Sequence, residues 1–217
     1  MDIKAIIFDM DGVLVDSEPA YLDFFRSFFR QHGHTTDEAL LLRTVGASHK
    51  ETWRLLAQMW GEDCDPLWLE EFCYGTTRHA LPYRELVFPG MQDTLKFLYE
   101  KGISLYIASA SSQPSIQRMV EETGIAPYLS GAISGETVRR SKPDPDVYLQ
   151  AIALSGYPAE QCLAVEDSIY GIQAARNAHL TVVGVYSALF PENQALADYQ
   201  IPTVADLPAL LFPESSR

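Results

Sequence analysis

Four groups of polar side chains interrupt the apolar runs of this 217-residue chain. Asp9 and Asp11 follow "IIF" and precede Gly12; Ser109 opens "SASS"; Lys142 lies in "RSKPDPD"; Glu166 and Asp167 end "LAVED". Carboxylates this close repel one another unless a cation, a proton or open solvent relieves them. Together the four groups supply acids, a hydroxyl and an ammonium, the inventory for handling a phosphoryl group with a hard divalent cation. Magnesium takes oxygen ligands and keeps several waters, so two or three carboxylates suffice to hold it. Asp9 and Asp167, with Glu166 nearby, are the candidates. Lys142 can hold phosphoryl oxygens by charge and Ser109 by a hydrogen bond. A carboxylate can act as nucleophile and carry an aspartyl-phosphate. A second can protonate the leaving group and then activate water, worth about 10²–10⁴-fold. Asp9 and Asp11 fit these roles in that order, since residues i and i+2 of an extended chain point to one side. Gly12 allows backbone conformations that bring amides close to an anion.

The elements that must position these residues are legible as short apolar runs suited to strands buried on both faces of a parallel sheet. They are Ala5–Phe8, Ile103–Ala108, Gly131–Ser134, Cys162–Val165 and Thr181–Val185. Helical segments alternate with the later runs at Met91–Lys101, Ser112–Thr123, Pro145–Ser155 and Ser168–Ala178. Strands alternating with helices predict an α/β core with a parallel sheet and helices on both faces. In such sheets ligands bind beyond the carboxyl ends of the strands, which is where all four polar groups fall. The gap between the first strand and Ile103 is too long for one crossover helix. Tyr21, Phe24, Phe25, Phe28 and Phe29 mark one helical face within it; Trp53, Leu56, Met59 and Trp60 mark a second helix, and Leu69, Phe72 and Cys73 a third. These faces suit helix–helix packing better than stacking on a ligand. The chain therefore divides into a core of residues 1–15 and 86–217 and an inserted helical cap of residues 16–85, with crossings near Asp16 and Val87–Gly90. Beyond Val185, "TVADLPALL" suggests one more short strand and helix.

A net charge of -13 excludes general binding to nucleic-acid backbones or anionic membranes. No stretch approaches the roughly 20 apolar residues of a membrane span. The three cysteines, Cys64, Cys73 and Cys162, lack disulfide or metal spacing, which points to a reducing compartment. A cytoplasmic enzyme is expected, monomeric, with a small phosphorylated metabolite as its partner.

"FDMDGVLVDS", "ASASS", "SKPDP" and "VEDSIYG" resemble, in order, the four motifs of the haloacid dehalogenase superfamily. They look most like its branch of sugar-phosphate phosphatases and β-phosphoglucomutases with a helical cap after the first strand. The resemblance implies a Rossmann-like core under a mobile helical lid, Mg2+ as cofactor and phosphoryl transfer as the chemistry. By position, Asp9 matches the nucleophile and Asp11 the general acid/base, whose backbone carbonyl also binds metal in relatives. Ser109, with Ala110 beside it, and Lys142 match the phosphate-binding positions; Glu166 and Asp167 match the acidic metal motif. Asp at position 11, rather than Ala or Ser, favours phosphoryl transfer over dehalogenation.

The resemblance leaves the substrate open. A β-phosphoglucomutase holds a second phosphate on its cap, with a histidine after the first motif and a Lys/Arg pair in a loop beginning "KGVSR". The corresponding positions here are Tyr21 and "VGASH", with Val45 and His49 in place of the basic pair and Arg43 and Lys50 close by. "DSEP", which contains Glu18, is closer to the sugar-phosphate phosphatases. A phosphatase is the favoured reading and a phosphosugar mutase the alternative, with Glu18, Tyr21, His49 and Lys50 as the cap residues that could face substrate. His49 and Lys50 equally suit a polar helix start capped by Ser48, and His32 and His34 a surface helix end. His79 and His179 carry no expected role. A phospho-acceptor signalling domain also combines acids, a hydroxyl and a lysine, but it takes phosphate on a middle strand, and "YIAS" ends without an acid. A binding protein that kept the fold without catalysis would have no need of both Asp9 and Asp11.

Overall fold

Each apolar run becomes a strand because both of its faces find cover. The computed structural model describes residues 2–76, 81–191 and 193–213, so His79 lies outside the described residues. The strands are β1 (Ala5–Phe8), β2 (Ser104–Ser109), β3 (Leu129–Ser134), β4 (Cys162–Glu166), β5 (Thr181–Val185) and β6 (Tyr199–Ile201). They pair in parallel, in the order β3-β2-β1-β4-β5-β6. Side-chain alternation sorts the strands into two apolar layers. Ile6, Phe8, Ile107, Leu163, Val165 and Val183 pack with α5 (Met91–Glu100), α6 (Gln113–Thr123) and α9 (Leu207–Leu211). Ala5, Ile7, Tyr106, Ala164 and Val182 face the other way, onto α7 (Asp146–Ser155) and α8 (Ile169–Asn177).

The order runs outward from β1 in both directions, so the chain reverses between β1 and β4 and opens a crevice at their carboxyl ends. Register decides what meets there. Phe8 lies opposite Ile107 on one side and Val165 on the other, which sets Asp9 beside Ala108 and Glu166.

Between β1 and β2 lie α1 (Glu18–Gln31), α2 (Glu38–Leu42), α3 (His49–Trp60) and α4 (Pro66–Thr76), the helical cap. Ser48 caps α3 as expected, its side chain accepting from the Glu51 amide. The predicted aromatic faces make an apolar cluster separate from the two sheet layers, centred on Phe25, Phe28, Phe29, Trp53, Leu56 and Leu69. Phe25 meets Trp53 edge-on at 5.9 Å and Phe28 stacks on Trp60 at 5.3 Å. His32 and His34 are not free surface residues: the turn after α1 folds back onto the cluster, where His34 stacks on Trp60 at 4.0 Å. The two crossings run side by side, with the Asp16 amide donating to Leu86 O at 2.7 Å and the Phe88 amide to Leu14 O at 3.3 Å. Leu81 and Tyr83 pack in the sheet-side cluster rather than with the cap aromatics. At the far end, β6 precedes "TVADLPALL" instead of lying within it, and α9 forms the second half of that stretch.

Because the cap has its own core, Phe28→Ala should cost about 3–5 kcal/mol and express it locally. Hydrogen exchange should rise in α1, α3 and α4 while β1 and β4 stay protected. An equal loss of protection in the sheet would show that the two parts unfold together.

Candidate active site

The acids come together because β1 and β4 are neighbours, and they tolerate it because one ammonium is buried among them. Lys142 Nζ donates to Asp9 Oδ1 at 2.9 Å, to Glu166 Oε1 at 2.6 Å and to the Ala108 carbonyl at 3.0 Å. Asp9 is 8% and Lys142 6% exposed, and Glu166 is fully buried. Burial alone would drive Lys142 towards neutrality, but Asp9 and Glu166 more than offset it and hold the ammonium charged. Glu166 Oε1 also accepts from the Tyr148 hydroxyl at 2.5 Å. Two glycines make the room. A Cβ on Gly171 would fall 1.9 Å from Glu166 Oε1, and one on Gly12 2.1 Å from Asp167 Oδ2. Gly12 also sits at φ +78°, a conformation that L side chains rarely adopt.

One ammonium does not balance these acids. Burial first, then the Glu166 charge, pushes Asp9 up to about 7. Burial, with Glu166 and Asp9, holds Asp167 well above the usual carboxylate range. Among the described residues no hydrogen-bond donor reaches the Asp167 carboxylate, which lines the cavity. Side-chain oxygens of Asp9, Glu166 and Asp167 lie within 4.8 Å of one another. Three buried, hard oxygen donors of excess negative charge, one of them unpartnered, fit a divalent cation of the magnesium type.

Asp11 is held differently. β1 stops at Phe8, and Met10–Val15 close a tight turn in which the Gly12 amide donates to Val15 O at 2.8 Å. Asp11 therefore reaches the site from a turn, not from the extended alternation read in the sequence. Its two oxygens accept from the hydroxyls of Ser17, the cap residue of α1, and Ser111, the latter at 2.7 Å. Burial raises Asp11 above its usual range, with the Ser17 and Ser111 bonds working against the rise.

These groups form the floor of a cavity of about 390 Å³ whose roof is the helical cap. Asp9, Asp11, Ala110, Lys142 and Asp167 line it from the core, and Glu18, Tyr21 and His49 from the cap. Ser109 is fully buried at the end of β2, where its Oγ accepts from the Ser111 amide at 3.0 Å, while Ser111 and Ser112 reach the cavity surface. Glu166 lies behind the lining. Lys50 is exposed and lies outside it. His49 Nε2 meets Glu70 Oε1 at 2.8 Å. Glu18 accepts from the Gly46 amide at 3.2 Å; burial, then the Asp11 charge, lifts it to about 8. Ser17, Ser111, Tyr148 and Gly171 join the site without an expected role. Ser17 and Gly171 stand inside the motifs themselves, and the hydroxyl run after β2 signalled Ser111. Nothing in the sequence marked Tyr148.

A parallel sheet with acids, an ammonium and hydroxyls at its carboxyl edge, roofed by a helical insertion, defines a phosphoryl-handling α/β hydrolase. The chain belongs to the haloacid dehalogenase-like hydrolase family, whose model matches residues 3–179. It is 27% identical over 195 residues to a phosphorylated carbohydrates phosphatase of Thermotoga maritima, covering 86% of this chain and 87% of that one. It is 29% identical over 230 residues to protein CbbY of Rhodobacter capsulatus, with 99% of each chain covered. The fold is similar to that of CbbY from Rhodobacter sphaeroides crystallised with phosphate, at a TM-score of 0.79 and 24% identity, covering 94% of this chain and 96% of that one.

The excess of buried charge predicts an inverse pH dependence of stability. Asp9 titrates near 4 when unfolded and near 7 when folded without metal. In that window the folded state binds more protons, so stability is full at the acid end and is lost as pH rises. The melting temperature of metal-free protein should fall between pH 5 and 8. Asp167→Asn should flatten the fall and raise the value at pH 8, by about 2–4 °C for each kcal/mol relieved. Thermal melts in chelator would show it, and a lower melting point for the variant at pH 8 would contradict this account.

Proposed function

We propose that this chain is a Mg2+-dependent phosphatase of small phosphorylated metabolites, sugar phosphates foremost, working through an aspartyl-phosphate on Asp9. The observation that carries the reading is the buried set in which Lys142 bridges Asp9 and Glu166 beside Asp11, at the floor of one capped cavity. The phosphatase name of the Thermotoga relative supports the substrate class.

In this reading Asp9, Glu166 and Asp167 hold the ion, with the Asp11 backbone carbonyl as a further ligand. Bound there, it supplies positive charge that stabilises ionised Asp9 and offsets the phosphoryl oxygens. Lys142 and the Ala110 amide hold those oxygens, and Ser109, buried behind the lining, fixes the loop that carries that amide by accepting from the Ser111 amide. An Asp9 carboxylate oxygen attacks phosphorus in line, forming the O–P bond as the bond to the leaving oxygen breaks. Asp11, which burial inclines towards its protonated form, gives that proton to the leaving oxygen. Water then attacks the phospho-aspartate while Asp11 takes back a proton, releasing phosphate and free Asp9. The Ser17 and Ser111 hydroxyls keep Asp11 aimed throughout. Residues 16–85 act as a lid about the paired crossings near Asp16 and Val87, excluding bulk water when closed. The enzyme works as a monomer in the cytoplasm, where its cysteines stay reduced.

Two outcomes test this. On a panel of phosphometabolites with Mg2+, including β-glucose 1-phosphate with its bisphosphate activator, the protein should release inorganic phosphate. Glucose 6-phosphate formed without phosphate release would make it a mutase instead. Asp9→Asn should abolish turnover, and Asp11→Asn should lower it by about 10²–10⁴-fold; wild-type rates in the Asp9 variant would remove the nucleophile assignment. Secondly, the cation must displace the proton that Asp9 holds below about 7. Apparent Mg2+ affinity, followed by calorimetry without substrate, should weaken up to about tenfold per pH unit below 7. A pH-independent affinity would count against Asp9 as a ligand.

A further inference from the structure

The half of the cavity beyond the phosphoryl site has a charge of its own. Glu70 from α4 and Glu136 from the turn after β3 line it. Among the described residues, Lys142 is the sole lysine or arginine in the lining, and it is committed to Asp9 and Glu166 on the floor. His49 is the remaining basic group, and Glu70 already engages it at 2.8 Å. The acids share this wall with aromatic rings: Trp53 and Tyr74 meet edge-on at 5.5 Å, and the charges of both Glu70 and Glu136 reach the Tyr74 hydroxyl. Carboxylates beside aromatic faces receive an ammonium well and hydroxyls adequately. Among the described residues a second phosphate or a carboxylate there would meet like charge without a free counter-ion, which is how a site rejects a competitor.

We infer that the cavity selects its phosphomonoester by the charge of the leaving group, ranking an amine-bearing sugar phosphate above a neutral one and a neutral one above a bisphosphate. The inference rests on the phosphatase reading for the direction in which substrate enters, phosphoryl group to the floor and leaving group to the Glu70 wall. Bisphosphates, pyrophosphate and carboxylate-bearing phosphoesters are then poor substrates, and His49 supports Glu70 instead of binding an anion.

The test uses glucosamine 6-phosphate, glucose 6-phosphate and glucose 1,6-bisphosphate with Mg2+, at a pH where the amine is charged. Two readouts are taken: kcat/KM for the wild type and Kd for the Asp9→Asn protein. Each step of the ranking should be about fivefold or more, and should shrink as salt is raised from 0.05 to about 0.5 M. Glu70→Gln combined with Glu136→Gln should bring the amine-to-neutral ratio to within about twofold, a change that a purely structural role for these residues would not produce. A ranked set of Kd values without any turnover would remove the phosphatase reading and leave charge selection standing. Turnover or binding that is equal across the three, or tightest for the bisphosphate, overturns charge selection and leaves the phosphatase reading intact. Failure of all three to bind overturns it as well.

Discussion

The structure turns on the burial of one ammonium among several carboxylates at the edge of a parallel sheet. Lys142 touches Asp9 and Glu166 and spans 133 residues of chain to do so. Losing either partner would leave a nearly buried charge uncompensated, which is far more costly than losing an exposed pair. Much of the surrounding architecture serves that contact. Tyr148 satisfies Glu166 from α7, Ser168 Oγ lies 3.3 Å from its other oxygen, and Gly12 and Gly171 leave the space that the carboxylates occupy. The excess negative charge remains as a local instability, one that the proposed cation would relieve. Stability is given up where function requires a strained electrostatic environment.

The helical cap is joined to this site by more than its covalent connections. Ser17 ends the turn from β1, opens α1 and holds one oxygen of Asp11. Gly46, in the loop between α2 and α3, lies against Ser168 of the acidic motif: a Cβ there would stand 2.9 Å from that of Ser168. Its amide meets Glu18. The cap thus contacts both acidic motifs through small residues, an arrangement that lets a separately packed unit sit close to the chemistry. The cap also contributes the part of the cavity that differs in character from the floor, aromatic and acidic where the floor carries the Lys142–carboxylate set.

The sequence by itself determined most of the elements and which polar groups stand at the strand ends. Apolar runs such as "AIIF" and "CLAV" predict strands because side chains buried on both faces leave no polar alternation. Phe25, Phe28 and Trp53 predict helices because their spacing follows the 3.6-residue turn. Asp9, Asp11, Lys142 and Asp167 were legible because charged residues rarely interrupt buried strands without a use. What the tertiary structure alone decided are the relations between distant segments. Register placed Asp9 beside Glu166; the α7 packing brought Tyr148 onto Glu166; the turn after Gly12 aimed Asp11; and helix orientation turned His49 inward and Lys50 outward. Neither spacing nor composition contains those relations, because they are set by which surfaces bury one another, and a hydrogen bond between residues far apart in the chain has no local signature.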